Sequence, residues 1–406
     1  PEDVERVHEI ADRYDLGSSV IGEVTDGNYV CTFEGEAVVD APAEFLGDGA
    51  PFNDLPSEEP AEQERDLPDV DLTEAFEGVV GSPNTASKRW VYRQYDHEVQ
   101  VRTATPPGDD AAVMAVRDAE TGLALSSGAD PNWTDAAPYE GARAVALENA
   151  TNVAVKGATP HAAVDCLNGG NPEKPDVYGG FKGIVDGLAD MCSTLSVPVV
   201  GGNVSLYNDS ATGPIPPTPT LALVGVKDGY EAPPTALSGE GELLLVGARS
   251  LEGDAEARLG GSEYLAQLGG TDRFPELLDY PAAFVDTLAD VADDESTLAT
   301  HDVSHGGLAV TLAEMVSEEA GASVELDAPT KGSPEALLFG EQAGRAVIET
   351  TDPRAVREAF DGVAPVYELG TADGSATLDI ELGAEALSYD AAEIADLRSV
   401  IERELD

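Results

Sequence analysis

The 406-residue sequence predicts a protein of α/β or α+β class, with two large blocks preceded by a small one. Three observations carry this. Strand-like and helix-like runs alternate through both large blocks. No short-period repeat is present, which excludes a solenoid. The length exceeds what one ordinary hydrophobic core accommodates, so two to three domains are expected.

The elements follow in order. Residues 2–14 read as a helix, then 18–23 and 28–34 as strands joined by a Thr25-Asp26-Gly27-Asn28 turn. These cannot bury a core alone and read as the tail, residues 1–56, of a domain whose beginning lies outside the chain. Residues 41–72 are rich in Pro, Glu and Asp without periodicity, and 57–69 are expected to be a surface linker. The second block, 70–230, holds helix-like 142–151 and 177–195 and strand-like 153–155, 197–200 and 220–226. The third, 240–406, holds strand-like 242–247, 346–349 and 376–380 and helix-like 280–291, 307–318 and 353–360.

Charge narrows the function. Lys plus Arg number 22 against 78 Asp plus Glu, a formal net charge of −56. In dilute buffer such a chain repels itself; at molar salt the Debye length falls to ~3 Å and the repulsion is screened. The acids are spread along the whole chain, which points to surface adaptation to a salty cytoplasm rather than to a basic partner. No basic stripe exists to meet nucleic-acid phosphates. No apolar run is long enough to span a membrane, and no secretory leader opens the sequence. Cys31, Cys166 and Cys192 form no CxxC pair, and the five histidines form no HExxH.

Four segments could carry chemistry. In 165–209, a helix feeds the run Val197 to Val200, which gives way to Gly201-Gly202-Asn203-Val204-Ser205. Glycines at the carboxyl end of a strand let backbone amides approach an anion. Asn203 offers a carbonyl oxygen to a hard cation and Ser205 a hydroxyl, at the strand end where ligands of open α/β sheets gather. A plain strand-to-loop turn explains the same residues. Asp165, just after a turn, could hold Mg²⁺ or a nucleotide edge, or serve only as an Asx-turn. Gly306-Gly307 before an Ala/Leu-rich helix forms an anion site, or Asp302 or Ser304 merely caps that helix. His301 and His305 are four apart, but the adjacent glycines favour a loop and no metal pair is expected. Ser87-Lys88-Arg89-Trp90-Val91-Tyr92 is a rare basic knot, fit for phosphate contact or for ion pairs with neighbouring acids. No GxxxxGK[ST] and no post-strand GxGxxG is present.

Taken together, ASKRWVYRQYD (86–96), DCLNGGNPEKPDVY (165–178), PVVGGNVSLYND (198–209), PTPTLALVG (217–225) and HDVSHGGLAVTLAEM (301–315) resemble, in order, the synthetase subunit of phosphoribosylformylglycinamidine synthases. GSSVIGEVTDGN (17–28) is similar to the end of that family's first half. The resemblance implies an AIR-synthase-like ATP-binding domain followed by its α/β companion, together half of a pseudo-dimer, with residues 1–56 left from the first half. It implies ATP-driven amidation of formylglycinamide ribonucleotide, with ammonia from a separate glutaminase subunit and a small bridging subunit in multi-chain versions. By position, Asp165 and Gly202 match ATP contacts, Asn203 a Mg²⁺ ligand and Ser205 a substrate contact. The family's catalytic histidine, substrate arginine and most metal carboxylates lie in the half this chain lacks, so no catalytic residue is expected here. His305 stands where the family has Asp, and Gly169 replaces a bulky aromatic. Two other readings remain open: a non-catalytic nucleotide-binding assembly half, and another ATP-using enzyme of the same superfamily.

Overall fold

The computed structural model describes residues 3–49, 53–247, 256–327 and 333–406. The chain separates into two compact units, Pro1–Asp54 and Leu55–Asp406. In the small unit, helix α1 (Val4–Arg13) is followed by irregular chain, a hairpin of β1 (Tyr29–Phe33) and β2 (Glu36–Ala41), and helix α2 (Ala43–Asp48). The expected strand at 18–23 does not form. The hairpin partner of 29–33 lies downstream instead, because Glu34 and Gly35 both adopt positive φ (50° and 87°). That is the two-residue loop whose twist matches antiparallel strands. No residue of α1, β1 or β2 is buried.

The large unit opens with α3 (Leu72–Val80), capped by the Asp71 side chain, and the short α4 (Arg89–Tyr92). Strands β3 (Thr103–Thr105), β4 (Ala112–Val116) and β5 (Thr121–Gly128) precede helices α5 (Pro131–Ala136) and α6 (Pro138–Ala154). Then come β6 (Thr159–Asn168), α7 (Pro175–Thr194), β7 (Val199–Ser205), the two-residue strands β8 (Asp209–Ser210) and β9 (Gly213–Pro214), and β10 (Thr218–Asp228). Six of these strands form one sheet in the order β3-β4-β5-β10-β6-β7, antiparallel except for the parallel pair β6/β7. The alternating burial of β10 marks a sheet with one covered face.

The remainder runs β11 (Glu242–Val246), α8 (Glu263–Leu268), α9 (Pro281–Ala292), β12 (Thr297–Asp302), α10 (Gly307–Met315), β13 (Gly321–Leu326), α11 (Glu335–Phe339), β14 (Ala346–Thr350), α12 (Pro353–Ala359), β15 (Val366–Asp373), β16 (Thr377–Leu382), β17 (Glu385–Asp390), α13 (Ala391–Leu397) and α14 (Val400–Leu405). Its seven strands order as β12-β14-β11-β15-β13-β16-β17. Among the described residues no helix is long and apolar enough to cross a membrane. Residues 55–71 lie along the large unit: Glu58 N–H donates to the Pro175 carbonyl at 2.9 Å, and Asp66 and Thr271 exchange two backbone bonds.

Helix α6 sits between the two sheets. Fourteen of its seventeen residues are buried, with no polar face left over. Its Ala-rich sequence lets neighbours come close, and the polar side chains it buries, Glu148, Asn149, Thr151 and Asn152, are hydrogen-bonded. At Gly187 on α7 a Cβ would lie 2.2 Å from the Tyr139 carbonyl oxygen, so glycine there sets the α6–α7 spacing. One hydrophobic core joins α6, α7 and α9 to Leu244, Val246 and Ile348 of the second sheet. A second core fills the opposite face of that sheet.

Just past the end of α6, the Lys156 side chain is fully buried. Its ammonium pairs with Asp109 and, at 3.0 Å, with Asp110, and donates to the Pro233 and Thr300 carbonyls. His301 at the end of β12 closes the group, with Nδ1 2.6 Å from Asp110 and Nε2 2.8 Å from Glu314. The two sheets are thereby joined by a buried polar seam.

Removing one member of a buried ion pair leaves the other charge stranded, at a cost of about 3–5 kcal/mol. Lys156→Met should therefore lower unfolding stability by that amount in a denaturant titration at molar KCl, and a loss under 1 kcal/mol would refute the seam's role. Burial works against protonation of His301, but Asp110, Asp302 and Glu314 hold its pKa well above the ordinary imidazole value. The stability it contributes is complete below the unfolded value of about 6.5 and is lost as pH rises through the raised folded value. Stability should fall on the alkaline side, and His301→Gln should flatten that limb. Parallel alkaline slopes for the two proteins would contradict this.

Candidate functional site

The sequence-predicted residues meet at the β6/β7 edge. In the parallel register Asp165 stands opposite Gly202, Cys166 opposite Asn203 and Asn168 opposite Ser205. Two expectations change. Residues 153–155 belong to the end of α6, so Asp165 lies within strand β6 rather than after a turn. Likewise β7 continues through Ser205, so Gly201 and Gly202 lie inside a strand. The β-branched run gave the strand's start, and the glycines that suggested its end are tolerated because β7 is an edge strand.

Strand alternation splits the four residues between two faces. A Cβ at Gly202 would fall 2.0 Å from an Asp165 carboxylate oxygen, so that carboxylate lies over the bare backbone of Gly202. This face points toward α7: burial raises the Cys192 thiol to about 11, with the Asp165 charge adding to the rise. Asn203 is on the other face, its Nδ2 3.9 Å from Cys166 Sγ, and its Oδ1 takes no hydrogen bond among the described residues. The structure therefore gathers all four at one edge without forming an enclosed pocket around them.

Beyond β7 the loops 169–174 and 206–209 interlock. Asn208 N–H donates to the Gly169 carbonyl and Tyr207 N–H to that of Gly170, each at 3.1 Å. The Asp209 carboxylate accepts from Asn171 N–H at 2.9 Å and from the Lys174 ammonium at 2.5 Å. The sheet face away from the helices is uncovered, with Leu125, Val164 and Val200 exposed along a shallow apolar depression of about 310 Å³.

The other motifs resolve differently. At Gly306-Gly307 the free Gly306 N–H is taken at 2.7 Å by Glu341, which also accepts from Trp133 Nε1 at 2.6 Å and Glu263 N–H at 2.8 Å. The helix terminus that looked like an anion site already holds a carboxylate from its own chain, and Gly306 rather than Asp302 or Ser304 is the N-cap. His305 pairs with Asp130 at 3.0 Å and packs on the Trp133 ring. In the basic knot, Lys88 donates to the Pro83, Asn84 and Ala86 carbonyls, while Trp90 Nε1 bonds Asp406 and the adjacent Arg93 pairs with Glu402 and Asp406. These cations serve the protein's own acceptors.

A cleft of about 650 Å³ between the sheets is lined by Lys88, Tyr92, Asp110, Glu148, Asn152 and His301, among others. Burial, reinforced by Asp302, pushes the Glu148 carboxyl up to about 7. Asp110, His301 and Asp302 bring ligand atoms within 4.8 Å of one another, the spacing of a metal site. Lys156 and His301 already supply positive charge there, so the group is balanced by its own cations. Sequence reading missed this cluster. Its available signal was Lys156 itself, a rare lysine at a helix end in an acidic chain.

Residues 108–227 match the family described as AIR synthase related protein, N-terminal domain, and residues 240–383 match AIR synthase related protein, C-terminal domain. The phosphoribosylformylglycinamidine synthase subunit PurL of Haloarcula marismortui is 74% identical over 407 residues, covering 100% of this chain and 56% of that protein. The same-named subunit of Methanosarcina mazei is 41% identical, covering 93% of this chain and 53% of that protein. Among solved structures, Thermotoga maritima PurL complexed with ATP superposes with a TM-score of 0.62 at 20% identity, covering 92% of this chain and 53% of that one. The same protein complexed with FGAR gives 0.61 at 18%, covering 80% and 54%. The chain spans about half the length of the curated relatives it matches. It belongs to the family of phosphoribosylformylglycinamidine synthase PurL subunits, of which it carries one N-terminal and one C-terminal AIR-synthase-related domain.

Proposed function

We propose that this chain supplies one wall of the active site of a cytoplasmic synthase that uses ATP to amidate formylglycinamide ribonucleotide with glutamine-derived ammonia. The observation that carries this is the convergence of Asp165, Gly202, Asn203 and Ser205 on an open strand edge. Asn203 and Ser205 lie on the uncovered face toward the strand's carboxyl end while Asp165 and Gly202 face α7, an arrangement that suits a site completed by another part of the enzyme. In this reading residues 70–230 form the ATP-binding-type domain and 240–406 its companion. Residues 1–56 belong with the other half of the pseudo-dimer, and a glutaminase and a small bridging subunit complete the assembly.

Each residue has a defined task. Gly202 leaves room for the Asp165 carboxylate, which a Cβ there would displace, and in this reading Asp165 and the Gly202 backbone contact the nucleotide. Asn203 offers Oδ1 to Mg²⁺; as a lone neutral ligand it fits one position of an octahedral shell, the others coming from phosphates, water and residues outside this chain. When bound, the ion neutralises charge on the phosphates. Ser205 offers its hydroxyl to the ribonucleotide. The histidine of these two strands, His161, stands near the start of β6, away from Ser205; in this reading the general base comes from outside the chain, which alone orients substrates without turning them over.

The test is ammonium-dependent formation of the amidine ribonucleotide in molar KCl, by this chain alone and joined to the remaining part of a PurL relative. Activity is expected only in the joined form. Asn203→Ala should raise the Mg²⁺ requirement and reduce kcat/KM by about tenfold to a hundredfold, as for loss of a contact to a charged group. Asp165→Ala should raise KM for ATP. Wild-type kinetics in both variants, with the assembly intact, would leave a nucleotide-holding scaffold as the better reading.

A further inference from the structure

Ser205 does not stand alone at the strand end. Three residues on, Asn208 turns back beneath it, a path that holds the intervening Tyr207 at φ 62°. Positive φ is uncommon for a side chain of that size and persists only where neighbouring contacts enforce it. The Asn208 Nδ2 lies 3.1 Å from Ser205 Oγ, 3.1 Å from the Ser205 carbonyl and 3.0 Å from the Gly169 carbonyl. Carbonyl oxygens only accept, so the group facing them is the NH₂ and the orientation of the amide is fixed. Its two hydrogens face those two carbonyls, and Ser205 Oγ lies against the same amide, 3.1 Å from Nδ2 and 3.4 Å from Oδ1, to which the hydroxyl can donate. A hydroxyl held against both polar atoms of one amide keeps a fixed place at the strand end, with capacity left for a partner outside the chain.

We propose that Asn208 is a positioning residue, holding the Ser205 hydroxyl in place for a hydrogen bond with the bound ribonucleotide. The inference rests on Ser205 being the substrate contact. Asn208 also ties the loop after β6 to the loop after β7 through Gly169, so the hydroxyl is held against the strand pair that carries Asp165 and Asn203. The neighbouring Asp209 ties the same loops through Asn171 and Lys174 without touching Ser205, and provides a control for loop order.

The experiment measures KM for the ribonucleotide and for ATP in the assembled synthase carrying Ser205→Ala, Asn208→Ala, both together, or Asp209→Asn. Ser205→Ala and Asn208→Ala should each raise KM for the ribonucleotide about tenfold, the loss of one hydrogen bond, with KM for ATP within twofold. The double variant should be no worse than either single, because the two act as one unit, and Asp209→Asn should stay within twofold. Asn208→Asp, similar in size but without the N–H donors, should reproduce the alanine effect and covers the case in which alanine loosens the loop. Additive effects, or an equal rise in Asp209→Asn, would overturn the positioning role. An effect in Ser205→Ala with none at Asn208 would overturn it while leaving Ser205 as the contact. No effect in Ser205→Ala would remove the substrate assignment on which the proposal stands.

Discussion

The Lys156 ammonium, enclosed at the end of a helix buried on all sides, is the interaction on which the large unit depends. A buried cation is tolerated only when carboxylates and carbonyls surround it. Those partners come from the loop before β4, from residues 233–235 and from β12, hence from both sheets. Helix α6 can lie between two sheets because most of its residues are small and the polar ones it buries are hydrogen-bonded, and its exit is anchored by this one charge. The spacing of β5, β10 and β6 above it and of β11 and β14 below it follows from that placement.

Periodicity and β-branching were enough to read most of the large unit from the sequence. The helices expected at 177–195 and 280–291 are observed as Pro175–Thr194 and Pro281–Ala292, and the strand at 220–226 as Thr218–Asp228. The failures have physical causes. Residues 153–155 are β-branched in part, yet they finish a helix because α6 is buried on every side and carries no amphipathic stripe. Gly201 and Gly202 suggested a strand end, but an edge strand pays little for glycine. The hairpin at 29–41 turned on Glu34-Gly35, a weaker signal than the Asp-Gly upstream.

Site chemistry was legible in part. The strings at 165–178 and 198–209 pointed to the same edge where register now brings their residues together. What the sequence did not show is that Asp165 and Gly202 face α7 while Asn203 faces the opposite side, because that requires knowing the strand runs unbroken through Ser205. Nor did it show that Glu341, thirty-five residues from Gly306, fills the helix terminus that resembled an anion site.

The buried charges bear on how the protein lives with salt. The side chains of Lys156 and Lys227 are hidden within the large unit, and Arg345 is buried in the same unit. Carboxylates such as Glu148, Glu263, Asp302, Glu341 and Glu349 are buried as well, so the exterior keeps its acidic excess without being made more anionic by the hidden cations. Folding still brings the surface acids of a chain of net charge −56 closer together than in the open chain, which concentrates negative potential and draws in a denser cloud of mobile counterions. Ambient potassium or sodium then acts as a stoichiometric participant in folding, bound diffusely by the native shell and released when it opens.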